Sequence, residues 1–85
     1  MITADDARDI ARGVLAGMSN TEPIRLADDV VERPHHWVFV YNTVKYWETN
    51  DPFESLAGNG PIAVAKDDGT VTRLTSRQRI ADQLP

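Results

Sequence analysis

The sequence predicts an α+β fold: an antiparallel four-stranded sheet with an N-terminal helix packed on one face and a short C-terminal helix. Three observations carry that prediction. Apolar residues recur at helical spacing in residues 3–18. They alternate along residues 36–49. They also flank Asp67-Asp68-Gly69 on both sides. A helix followed by strands with short turns closes most simply as an antiparallel sheet with its helices on one face.

Residues 3–18 place Ala7, Ile10, Ala11, Val14, Leu15 and Met18 on one stripe, the pattern of an amphipathic helix. Thr3 is the expected N-cap with Asp6 three residues on. Asp5 and Asp6 suit the positive end of the helix dipole. Gly17 or the Ser19-Asn20 pair ends the helix. Gly13 costs about 1 kcal/mol relative to Ala inside a helix, a cost that close packing on a sheet would offset.

Residues 23–33 read as a first strand, with Ile24, Leu26 and Val30 in register. Arg33-Pro34-His35 is its turn, because Pro interrupts a ladder. In residues 36–49, Trp37, Phe39 and Tyr41 point one way and Val38 and Val40 the other. Apolar residues on both faces predict a central strand. Val44 to Glu48 either continues that strand after a bend or forms a short separate element. Residues 50–61 carry loop chemistry, with one helical turn expected at 53–57. Residues 62–66 and 70–74 pair through Asp67-Asp68-Gly69, a hairpin signal. Residues 77–84 close the chain as a short helix capped by Ser76, with Ile80 and Leu84 inward.

Length and composition bound the function. Eighty-five residues predict a single domain, 1–85. The chain has no cysteine, so thiolate metal sites and cysteine catalysis are excluded. No apolar run has the length of a membrane span, and the first residues lack signal-peptide character. The expected location is the cytoplasm. Net charge is −4. Residues 22–54 hold seven acids (Glu22, Asp28, Asp29, Glu32, Glu48, Asp51, Glu54) against three bases, while the rest holds six of each. Acidic surface repels phosphate, which argues against nucleic acid, and favours encounter with a basic protein. The same acids also serve as an ordinary solubilising surface.

Catalytic patterns are weak. His35-His36 would point to opposite faces of an extended chain, so the two rings do not share a metal. Asp28-Asp29 and Asp67-Asp68 have nothing to shift their pKa values as a catalytic pair requires, and the second pair is turn chemistry. Ser19, Ser55 and Ser76 lack a partner histidine. Gly58-Asn59-Gly60 precedes Pro61 and a strand rather than a helix. It therefore reads as a tight turn needing positive φ, not as a phosphate cradle. Trp37 belongs to the expected core. Trp47, between Lys45 and Glu48 in the acidic stretch, is a candidate interface anchor.

Trp37-Val38-Phe39-Val40-Tyr41, Tyr46-Trp47-Glu48-Thr49, Leu56-Ala57-Gly58-Asn59-Gly60-Pro61-Ile62 and Lys66-Asp67-Asp68-Gly69-Thr70-Val71 follow one another. In that order they resemble the immunity protein 35 family, or YrhB-type domain. The resemblance spans nearly the whole chain. It departs at Thr75-Ser76, where the family often has Gly-Thr. It implies an antidote that binds and blocks a cognate polymorphic toxin encoded nearby, with no catalysis and no cofactor. Some YrhB-type members are described as chaperone-like, so a holdase for unfolded proteins is the alternative. The expected toxin is basic, and the expected interface comprises Asp28, Asp29, Glu32, Trp47, Glu48, Asp51 and Glu54.

Overall fold

The computed structural model describes residues 1–18, 22–56 and 59–84. Helix α1 spans Ala4–Ala16. Thr3 Oγ1 accepts from the Asp6 amide at 3.1 Å, and Asp6 Oδ2 accepts from the Thr3 amide at 3.3 Å. This reciprocal capping box satisfies two otherwise orphaned donors. Ala7, Ala11 and Leu15 are buried along one stripe. Gly17 caps the C-terminus. The alternative stop at Ser19-Asn20 lies outside the described residues.

Six strands follow: β1 (Ile24–Leu26), β2 (Val31–Glu32), β3 (His36–Phe39), β4 (Tyr41–Thr43), β5 (Ile62–Ala65) and β6 (Val71–Arg73). They form a four-stranded antiparallel sheet in the order β2-β3-β5-β6, and a separate pair β1-β4. The first strand expected over 23–33 is therefore two short strands in different sheets. The long strand expected from His36 breaks at Val40, whose carbonyl turns to accept from the Ala27 amide at 2.8 Å. One residue thus hands the chain from one sheet to the other. Residues 44–49 are not strand: Val44–Thr49 form helix α2, and Pro52–Glu54 a 3₁₀ turn.

The pairing Phe39↔Ile62 and Trp37↔Val64 puts these four side chains on one face. There Phe39, Ile62 and Val64 pack with Ala7, Ala11, Leu15, Leu26 and Tyr41 into the main core. Trp37 packs at its margin, and its Nε1 donates to the Ile2 carbonyl. Full burial of Phe39, Ile62 and Val64 contributes about 1.5–3 kcal/mol each. On the opposite face Val38 and Ala63 pack with Leu74, Leu84 and Ile80. The last two belong to the C-terminal segment that contains helix α3 (Ile80–Gln83). The helices therefore cover opposite faces rather than one, because β3 and β5 are apolar on both. Ser76 does not cap α3. The N-cap is Arg79, without a side-chain bond, and the Gln83 amide holds the preceding loop through both the N–H and the C=O of Thr75.

Two glycines have definite reasons. Gly69 sits at φ +78° in the β5–β6 hairpin, where its amide donates to the Ala65 carbonyl at 2.9 Å. Gly60 does not have positive φ. It is glycine because a Cβ there would overlap the Leu74 carbonyl oxygen. Gly58, the other turn candidate, lies outside the described residues. Gly13 faces open space, with nothing within 4 Å of an added Cβ. Close packing therefore does not explain it.

Candidate partner-binding surface

Beyond Thr43 the chain leaves the β1–β4 pair as an arm, residues 44–56. No residue of α2 or of the 3₁₀ turn is fully buried, so apolar packing alone does not hold it. Two buried polar side chains at its root do. Asn42, 6% exposed, accepts through Oδ1 from the amides of Thr43 (2.8 Å) and Leu56 (2.9 Å). Its Nδ2 donates to Ser55 Oγ at 2.9 Å. Thr43 Oγ1 accepts from the Tyr46 amide at 3.0 Å, capping α2, and donates to the Glu54 carbonyl at 2.6 Å. One asparagine and one threonine thus tie both ends of the arm to β4. Each bond contributes about 1 kcal/mol net, and leaving such a buried group unpaired costs more.

The arm's course follows from local chemistry. Asn50 adopts φ 55° and ends α2, with its amide on the Tyr46 carbonyl. Left-handed backbone suits Asn as a helix stop. Asp51 Oδ1 accepts from the Phe53 amide at 3.0 Å, and Pro52 begins the 3₁₀ turn, where its fixed φ is pre-organised. Phe53 projects from this turn with 96% of its surface exposed.

The seven expected interface residues fall into two groups. Trp47, Glu48, Asp51 and Glu54 lie on the arm. Asp28 and Asp29 follow β1, and Glu32 lies on β2 in the other sheet. Trp47 is half-buried, its Nε1 donates to the Arg25 carbonyl at 3.0 Å, and it meets Tyr46 edge-on at 5.4 Å. Its role is to pin α2 to β1, and with Asp28 it lines a cavity of about 100 Å³. Glu32 pairs at 2.7 Å with Lys66, whose ammonium also sits 4.5 Å from the Trp37 ring centre. Asp28, Asp29, Glu48, Asp51 and Glu54 have no ion pair among the described residues.

A second feature was not legible in the sequence. Between α1 and β1 lies a groove of about 360 Å³ lined by Arg8, Arg12, Arg25, Asp28 and apolar side chains including Leu15 and Ile24. Arg8 and Arg12 sit one turn apart on α1, and folding brings Arg25 of β1 beside them. Arg8 is already committed: it donates to the carbonyls of Ala27 (3.0 Å) and Asp28 (2.8 Å) and lies 5.2 Å from the Phe39 ring centre. Phe53 was likewise missed as a surface residue. Asp51-Pro52 signals the turn in the sequence, but no local pattern shows that its aromatic stays outside.

No group of three or more His, Cys, Asp or Glu residues that could hold a metal ion occurs among the described residues. The hydrogen bonds from the backbone and side chain of Thr70 hold the Asp68 carboxyl below its ordinary value. Asp68 is thus a turn residue, as the hairpin requires. No helix among the described residues is long and apolar enough to cross a membrane.

The family model described as Immunity protein 35 matches residues 5–81. That span takes in nearly all of α1, both sheets and the arm. No curated protein and no solved structure gives a significant match.

Proposed function

The chain belongs to the immunity protein 35 family, and from that premise we propose that it neutralises a cognate toxin of a bacterial polymorphic toxin system by direct, stoichiometric binding. The reading places it in the cytoplasm, beside the product of a neighbouring gene, and assigns it no catalytic step and no cofactor. The observation that carries it is the uncompensated charge of the arm. Glu48, Asp51 and Glu54 have no ion pair among the described residues, and one base, Lys45, shares the segment. Such a surface accelerates encounter with a basic partner and disfavours a wrong one. Asp28 and Asp29 likewise have no ion pair among the described residues, while Glu32 pairs with Lys66. The holdase alternative needs contiguous apolar surface. The large apolar side chains exposed among the described residues are Met1, Val31 and Phe53, on three separate elements.

The test is co-expression with the product of the adjacent gene. That product should arrest growth alone and lose its toxicity in the presence of this chain, with a one-to-one complex on co-purification. A harmless neighbour, or one that stays toxic, refutes the reading.

A further inference from the structure

We propose that Phe53 is the anchor of the toxin contact, and that it inserts into an apolar pocket with a basic rim. The proposal rests on the immunity reading and names the chemistry of that contact.

Phe53 is 96% exposed, and burying an aromatic ring removes about 150–250 Å² from water. The exposure is built in. Asp51 caps the turn, Pro52 fixes its first residue, and the Ser55 amide closes it on the Pro52 carbonyl at 3.2 Å. Behind the turn, Thr43 holds the Glu54 carbonyl and Asn42 holds Ser55 and Leu56. A ring on so braced a turn loses little backbone entropy when it docks, and pre-organisation of this kind strengthens binding. Asp51 and Glu54 flank the ring in sequence, and Glu48 precedes them on α2. An apolar centre inside a charged rim is the anatomy of an energetic hot spot. It fits a partner whose pocket for the ring is edged by Lys or Arg.

Trp47 is the rival aromatic on the arm, but its Nε1 is already bonded to the Arg25 carbonyl. A second copy of this chain is the rival occupant, since the groove between α1 and β1 has an arginine rim. Arg8 there is taken by two carbonyls and Arg12 lies 3.5 Å from Asp9. Asp28 adds a like charge against the arm. Self-docking therefore meets a poorer pocket than a basic toxin would provide.

The experiment uses the purified product of the adjacent gene and the full chain, with calorimetry and photo-crosslinking. Phe53→Ala should weaken binding about 30-fold or more and move the melting temperature by less than about 1 °C. Phe53→Leu should recover part of the affinity. Glu48→Gln with Glu54→Gln should slow association and flatten its salt dependence. Asn42 is a positioning residue, so Asn42→Ala should weaken binding when Phe53 is present and add little to Phe53→Ala. A photoreactive phenylalanine analogue at position 53 should crosslink to the toxin. Wild-type binding that Phe53→Ala leaves intact refutes the anchor and spares the immunity reading. A wild-type chain that does not bind removes both. A crosslink to a second copy that persists when toxin is added also refutes the anchor.

Discussion

In the four-stranded sheet Phe39, Val38, Ile62 and Val64 are fully buried. In the arm, α2 and the 3₁₀ turn bury no residue completely, and two polar side chains beneath them, Asn42 and Thr43, are among the most buried in the chain. The sheet is held by area removed from water, which is non-directional and tolerant of small shifts. The arm is held by hydrogen bonds, which fix direction and fail sharply when one partner goes. The two regions thus differ in what holds them, although Leu56 at the end of the arm still packs on the main core.

Substitutions at the two regions should therefore fail in different ways. The largest effect is expected at Gly60, where the segment leading into β5 touches the backbone of Leu74. Gly60→Val should cost about 3 kcal/mol, since backbone cannot yield as a side chain tip does. Chemical denaturation should show the loss, and binding should fall only as the chain unfolds. A folded variant that had lost binding would place recognition on this segment instead. Next is Asn42→Ala, which strands the amides of Thr43 and Leu56. It should cost about 1–3 kcal/mol and release hydrogen-exchange protection at Leu56 while Ile62 and Val64 keep theirs. Equal release across β5 would show that the arm and the sheet are one cooperative unit. A smaller effect of opposite sign is expected at Gly13. With open space around it, Gly13→Ala should stabilise the helix by about 0.5–1 kcal/mol, read as a higher melting temperature with unchanged toxin binding.

The smallest effect concerns pH. Asp68 is held below its ordinary value of 3.8 by the Thr70 bonds. A carboxylate with a depressed folded pKa contributes stability above its unfolded value and loses that contribution as pH falls through the folded one. Asp68→Asn should therefore lower stability slightly at neutral pH, where the charge contributes, and flatten the acid limb of the stability curve below about pH 4. An unaltered acid limb would mean that the hairpin draws nothing from this charge.

Local signals were legible wherever the cause was local. Thr3 and Asp6 cap α1 because both partners sit within one turn. Gly69 takes positive φ because the hairpin needs it there. Apolar residues on both faces of the stretch from His36 predicted a central strand, and its first part, β3, is central in its sheet. The failures were tertiary. Val44 to Thr49 are mostly β-branched or aromatic, yet they form a helix. Thr43 caps it, Asn50 stops it, and Trp47 finds a carbonyl on β1. Glu32 read as free surface until Lys66 met it from the turn after β5.

The sequence by itself determined the α+β class, the first helix with its caps, the central strand, the closing hairpin and the family. All of these follow from period, propensity and turn chemistry within a few residues. Only the tertiary structure decided which polar residues brace the arm and which aromatic is left outside. It also decided why Gly60 is glycine, and that Arg25 joins Arg8 and Arg12 in one groove. Each of those depends on groups brought together by folding, from Asn42 and Leu56 to Gly60 and Leu74, and no local pattern records such meetings.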